Sequence, residues 1–303
     1  MKRIFPAFCF ALAFIAVTHQ SFSQNYDTVQ IKTIKLTEKI FMLQGAGGNI
    51  GVLIGKDGIV LIDDQFAPLT AKHQEAIKAI TDKPVRFLIN THYHWDHVGG
   101  NENWGKAGVM IVAHDNVYKR MSGRQVVQIL KQDIQPYPKA ALPVMTYNDR
   151  VTYHINGDEL TAYKVPRSHT DGDSFVRFRN ANVVHTGDVF ASGRYPFIDV
   201  ENGVGSVEGI VKAMDELIPT LVDFTKVIPG HGPVSTKKEV IAYRKMINTV
   251  ATRVKAMVKQ SKTLEQVVAA KPLREYDEEW GKFRKTDSFV EMVYYGFVPY
   301  KPK

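Results

Sequence analysis

The chain has 303 residues, of which 44% are hydrophobic, 11% aromatic and 23% charged, with ordinary glycine and proline counts of 22 and 14. That is enough apolar material for one large globular domain, or one with an appendage, and no period or low-complexity tract recurs, which excludes solenoid, collagen-like and disordered classes. The formal net charge of +8 is scattered: the basic residues at Lys237-Lys238 and from Lys271 to Lys285 are interleaved with Asp and Glu, so no nucleic acid partner is expected. The single cysteine, Cys9, excludes intramolecular disulfides, CxxC centres and zinc ribbons, so any metal site must use His, Asp or Glu.

Lys2 and Arg3 precede an apolar run from Ile4 to Val17, and Ser21-Phe22-Ser23 places small residues at the spacing a signal peptidase reads. Residues 1–23 are therefore expected to be a secretory signal, and the protein periplasmic or secreted. The run is too short for a permanent membrane helix and no later segment reaches 18 uncharged apolar residues, so no stable membrane anchor is expected. Cleavage would remove Cys9, Lys2 and Arg3 and leave 280 residues with a formal charge of +6.

From Val29 to Asp64 the pattern is of short strands and turns, with Gly58–Asp64 continuous, apolar and β-branched like a strand buried on both faces. A helix is expected over Leu69–Ile80 and a strand over Val85–Asn90. A strand at Val109–Val112, a polar helical region over Asp115–Ile134 and a proline-rich loop come next. Strands near Val151–His154, Glu159–Val165, Phe175–Phe178 and Val183–His185 follow, then a helix at Val207–Ile218, a strand ending at Ile228 and a long helix from Lys237 to Lys259. Thr263-Leu-Glu-Gln266 reads as a capping box, and Ser288-Phe-Val-Glu291 as the start of a last helix. The expected division is a catalytic domain over 24–235 and a helical C-terminal extension over 236–303 packed on the same domain.

The densest chemistry is Thr91-His92-Tyr93-His94-Trp95-Asp96-His97, directly after a strand. Histidines two apart point the same way on extended backbone, so His92 and His94 can share one ion, while the following turn sends Asp96 and His97 elsewhere. Four potential ligands in six residues favour two metals over an adventitious His-rich surface turn. Two sites need further ligands, and they stand at strand ends: His169 in SHTDGDS, Asp188 in HTGDVF and His231 in PGHGPV.

In order across residues 38–235, these segments resemble the metallo-β-lactamase fold superfamily. The resemblance implies an α/β fold, a four-layer αβ/βα sandwich with metals at the edge between two sheets. It also implies two zinc ions per chain, one held by His92, His94 and His169 and the other by Asp96, His97 and His231. Asp188 stands where well-known β-lactamases of this fold carry cysteine or serine; an aspartate there is similar to glyoxalase II-like, lactonase and phosphodiesterase-like members, and its two oxygens can bridge two ions. Asp96 is the expected catalytic residue, orienting a zinc-activated hydroxide that attacks the carbonyl of an amide, lactone, ester or thioester.

Asp63, ending an apolar strand, is expected to brace the motif loop from behind the metal. Arg194 and Tyr195 are candidate contacts for a small, anionic substrate, with a surface loop as the bland reading. His114 and His185 read as cap or core histidines, and His73 and His154 as structural or surface ones. The loop Gly45–Gly51 misses the phosphate-binding spacing and reads as a turn beside the site. The C-terminal aromatics read as packing, or as part of a substrate wall. β-Lactam hydrolysis, phosphodiester hydrolysis and a mono-iron, persulfide dioxygenase-like oxidoreductase are the alternatives; a diiron oxygen reductase is disfavoured because His94 stands where those enzymes carry glutamate, and a non-catalytic binding protein because all seven ligands are present. Oligomeric state is not legible.

Overall fold

The computed structural model describes residues 25–127, 132–201 and 204–300, so the expected signal segment lies outside the described residues. The first sheet takes β1 (Lys32–Lys35), β2 (Ile40–Gln44), β3 (Ile50–Leu53), β4 (Ile59–Ile62), β5 (Val85–Asn90), β6 (Met110–His114) and β9 (Met145–Tyr147) side by side in that order. Its first four strands are antiparallel, whereas β4, β5, β6 and β9 run parallel. Parallel neighbours require crossovers, supplied by α1 (Thr70–Lys78) between β4 and β5, and by α2 (Trp95–Val98) and α3 (Asn101–Lys106) between β5 and β6. Between β6 and β9 lie α4 (Asp115–Met121) and a hairpin of β7 (Gln125–Val127) with β8 (Gln132–Ile134).

The second sheet runs β10 (Arg150–Ile155), β11 (Asp158–Lys164), β12 (Ser174–Phe178), β13 (Val183–His185) and β14 (Lys226–Ile228), antiparallel except for the β13–β14 pair. Outside it lie α5 (Val207–Leu217), α6 (Lys237–Lys259), α7 (Leu264–Ala269), α8 (Asp277–Trp280) and α9 (Thr286–Tyr295).

The period-two alternation of β4 assigns its side chains to two cores. Val60 and Ile62 face the second sheet with Leu160, Val176 and Phe178, while Ile59 and Leu61 face Ile77 of α1 and Trp104 of α3. All four are at most 1% exposed, and burial of each such side chain favours the fold by about 1.5–3 kcal/mol before chain entropy is counted. Phe175, Val184 and Val227 on the far face of the second sheet pack with Ile210, Tyr243, Ile247 and Phe289 from the outer helices. The result is the expected helix–sheet–sheet–helix sandwich with C-terminal helices. Among the described residues no helix is long and apolar enough to cross a membrane.

Two element expectations fail locally. The helix expected to Ile134 stops at Met121, where Ser122 caps its end and Gly123 follows; the β-branched pair Val126-Val127 then enters a strand. The last helix begins at Thr286, two residues before the expected Ser288, because Thr286 Oγ1 is drawn to Asp277 Oδ1 and Lys285 takes the cap position without a side-chain bond. The capping boxes of α6 at Thr236–Glu239 and α7 at Thr263–Gln266 are both formed.

Candidate metal centre and its pocket

The chain leaves β4 through two left-handed residues, Asp63 (φ 62°) and Gln65 (φ 57°). Asp tolerates this conformation better than most residues, and such strain is kept where surrounding structure fixes it. Here it turns the Asp63 carboxylate back onto the loop after β5. Oδ1 accepts the Thr91 N–H at 2.7 Å, and Oδ2 accepts from Thr91 Oγ1 at 2.7 Å and from His97 Nδ1 at 2.8 Å. One buried carboxylate thus sets both ends of the motif.

These bonds decide which nitrogen of each imidazole stays bare. With its Nδ1 proton on Asp63, His97 presents Nε2, which is buried without a hydrogen-bond partner. The Thr91 hydroxyl commits its proton to Asp63 and so accepts from His92 Nδ1 at 3.0 Å, leaving His92 Nε2 equally bare. His169 Nδ1 donates to the Phe197 carbonyl at 2.7 Å, and its Nε2 lies 2.7 Å from His94 Nδ1. Two buried ring nitrogens that close can share either a proton or a cation, and a cation there would also be within reach of His92.

His92, His94 and His169 form one group able to hold an ion, and Asp96, His97 and His231 a second, with donor atoms within 4.8 Å of one another in each. A third geometric group, Asp63 with His92 and His97, is closed by the hydrogen bonds Asp63 already accepts. Asp188 touches both open groups: Oδ1 is 3.0 Å from His97 Nε2, and Oδ2 is 3.2 Å from His231 Nε2 and 3.6 Å from His169 Nε2. The electrostatics match a site short of positive charge. Burial pushes His97 and His231 down, but Asp188 and Asp96 overrule it, lifting His97 well above the ordinary histidine range and His231 to about 9.

Small residues let the loops converge. A Cβ at Gly48 would collide with the His97 ring, so the Gly45–Gly51 turn passes directly over the second group, tied there by its Gly48 N–H to Asp96 O at 3.0 Å. Gly99 and Gly100 both hold ordinary right-handed helical dihedrals. At Gly99 the reason for glycine is crowding, since a Cβ would sit 2.7 Å from the Gln65 carbonyl.

The second histidine of the motif has a partner that sequence reading missed. Tyr93 donates a hydrogen bond to Asp199, whose Oδ2 lies 3.6 Å from His94 Nε2, all three side chains being buried. Asp199 belongs to an irregular stretch after β13 and carries no local signature; only its place in the fold brings it to His94. His114 instead caps α4, His185 binds the Asn49 carbonyl, and His73 is buried with Nε2 on Gln65 Oε1 at 3.0 Å. His154 lies on β10, away from the site.

Beside the two open groups lies a pocket of about 280 Å³. Its floor is His94, Asp96, His169, Asp188 and His231, and its walls include Phe66, Trp95, Phe197 and both Arg194 and Arg284. Tyr195 lines the pocket beside Arg194, but most of its side chain is packing: it is 1% exposed and stacked on Phe289, and its hydroxyl donates to Asp277 at 3.0 Å, which anchors the C-terminal helices. Of the C-terminal aromatics, Trp280 and Phe289 are core, whereas Phe283 is 70% exposed and lines the pocket.

Residues 43–231 match the family model described as the metallo-beta-lactamase superfamily. The chain is 24% identical over 206 residues to a probable metallo-hydrolase of Streptococcus pyogenes serotype M6, covering 63% of this chain and 82% of that one. It is 25% identical over 201 residues to a probable hydroxyacylglutathione hydrolase of Schizosaccharomyces pombe, covering 63% and 67%. Among solved structures, a metallo-beta-lactamase from Pontibacter korlensis superposes with a TM-score of 0.58 at 19% identity over 72% of this chain and 99% of that one. A stereoselective inverting sec-alkylsulfatase from a Pseudomonas species superposes with a TM-score of 0.67 at 17% identity, over 89% of this chain and about half (51%) of that one. With this match laid over a His/Asp cluster built to take metal, the chain belongs to the metallo-beta-lactamase superfamily and is a metal-dependent hydrolase of it.

Proposed function

We propose that this chain is an exported, two-zinc hydrolase that cleaves an amide, lactone, ester or thioester at its carbonyl carbon. The observation that carries the reading is the convergence of five imidazoles and two carboxylates into adjoining groups beside one pocket, three of the imidazoles fixed from behind by Asp63, Thr91 and the Phe197 carbonyl. In it, His92, His94 and His169 would hold one ion and Asp96, His97 and His231 the other, with Asp188 placed to contribute to both. Zinc so held would lower the pKa of water toward neutrality and polarise the scissile carbonyl.

Among the described residues lining the pocket there is no Ser, Thr, Cys or Lys, and in this reading its carboxylates and imidazoles are engaged as ligands, so water would be the attacking species. Asp96, only partly buried, would orient that water and accept its proton. His94 is steered by Asp199, and the rings of Phe66, Trp95 and Phe197 limit access of bulk water. Export is supported by residues 1–23. The hydroxyacylglutathione hydrolase name of the yeast relative supports an acyl substrate; β-lactam cleavage is the narrower form that export favours and Asp188 disfavours.

The test is a metal count on the purified mature protein combined with assays on nitrocefin, an acyl lactone, a thioester, a phosphodiester and a sec-alkyl sulfate. Turnover of one of the first three at two zincs per chain is expected. Turnover of only the phosphodiester or the sulfate would move the reaction to another ester class, absence of all five would overturn the hydrolase reading for these substrates, and a single iron per chain would overturn the dizinc assignment.

A further inference from the structure

We propose that Arg194 and Arg284 form an anion-binding subsite on the pocket wall, and that the molecule taken there carries a carboxylate- or sulfate-type group on an apolar body. Its role as substrate rests on the hydrolase reading; the anion site itself does not.

Arg194 follows β13 and Arg284 sits in the turn between α8 and α9, ninety positions later and beyond the residues matched by the family model. Both line the same pocket and both are half-buried, yet the Nε of each is buried without a hydrogen-bond partner. Six other arginines, at 120, 124, 150, 179, 244 and 253, are ion-paired with carboxylates, whereas among the described residues neither Arg194 nor Arg284 has an ion-pair or hydrogen-bond partner.

What positions the two is aromatic. The Arg194 guanidinium carbon stands 3.8 Å from the centre of the Phe283 ring, and that of Arg284 stands 5.3 Å from the centre of Phe197. Contact of a guanidinium with a ring leaves its N–H groups free to donate, the arrangement suited to a planar or tetrahedral oxyanion. Burial pushes both groups below the usual arginine range, and the charge of Arg194 pushes Arg284 further, with Asp188 opposing. Two half-buried like charges without a counter-ion are costly unless a ligand supplies one. Asp188 cannot serve, because its oxygens already face His97, His169 and His231. Phe66, Trp95, Phe197 and Phe283 provide the apolar surface beside the pair.

The test is calorimetric binding to the zinc-loaded full chain of three molecules of one shape: phenylacetate, phenylmethanesulfonate and neutral phenylacetamide. At least one of the anions is expected to bind about tenfold or more tightly than the amide, given the strength of charge-assisted bonds. Arg284→Gln and, separately, Arg194→Gln should each remove about tenfold of that preference and leave amide binding, zinc content and the near-ultraviolet circular dichroism unchanged. A preference for phenylacetate marks a carboxylate group and one for the sulfonate a sulfate-type group. Equal binding of all three, or an anion preference that survives both substitutions, overturns the subsite. Turnover of the substrate panel without anion preference sinks the subsite alone, and anion preference without turnover sinks the hydrolase reading alone.

Discussion

The two sides of the pocket are built by opposite rules. On the metal side the imidazoles of His92, His97 and His169 are each fixed by a hydrogen bond from behind, so the bare nitrogens converge before anything binds. On the opposite side, Arg194 and Arg284 are braced only by ring faces and keep their Nε groups unpartnered. The first side lies in the family-matched residues and the second is completed by the C-terminal helices. The difference separates a preorganised reaction centre from a recognition surface, and changes on the two sides should fail in different ways.

The largest effect is expected from His94→Ala, which removes one of three imidazoles from the first group: most zinc and nearly all activity should be lost, as read by metal analysis and turnover of any accepted substrate. Retention of both would remove His94 from the centre. Asp188→Asn comes next. The amide cannot place negative charge between the two groups, so the metals should no longer bind as a pair, and titration of zinc should show one site weakened while the other persists. Asp63→Asn acts one layer further out, replacing with an amide nitrogen one of the oxygens that accepts from Thr91 and His97; zinc affinity should fall about 10–100-fold in a folded protein. Arg284→Gln is smaller still, about tenfold and confined to anions, with metal content untouched.

The smallest effect concerns stability. Burial pushes His73 down to about 4, against about 6.5 in an unfolded chain. The fold therefore favours the neutral ring and acid favours the unfolded chain, so stability from this residue is present above pH 6.5 and is lost as pH falls toward 4. Between pH 7 and 5 the loss is about 2 kcal/mol. A His73→Gln variant should lose correspondingly less over that interval in denaturant unfolding of the zinc-loaded protein; an unchanged pH profile would show that His73 is not the group responsible.

Much of the metal side was legible because its chemistry is local. HYHWDH is dense enough to read directly, and His169, Asp188 and His231 stand just after apolar strands whose ends a two-sheet sandwich brings to one edge. The buried run Ile59–Ile62 was equally plain, since only a strand covered on both faces tolerates it. The recognition wall was half legible. Arg194 follows a motif strand closely, but Arg284 and Phe283 sit in a turn after α8 with no local pattern, and Asp199 is brought to His94 by tertiary packing alone. Tyr195 was legible in part: its position beside Arg194 places it on the pocket, while its stacking on Phe289 and its bond to Asp277 are set by the distant C-terminal helices. The helix read through Asp115–Ile134 failed because polar composition hides a Ser-Gly stop followed by β-branched residues.

The central claim is that these seven side chains hold a pair of zinc ions. Elemental analysis of the native protein, purified without added metal and compared with His94→Ala purified in parallel, tests it most directly. The account predicts two zincs per native chain and a clear loss in the variant; a single iron per chain, or metal content unchanged by the substitution, would contradict it.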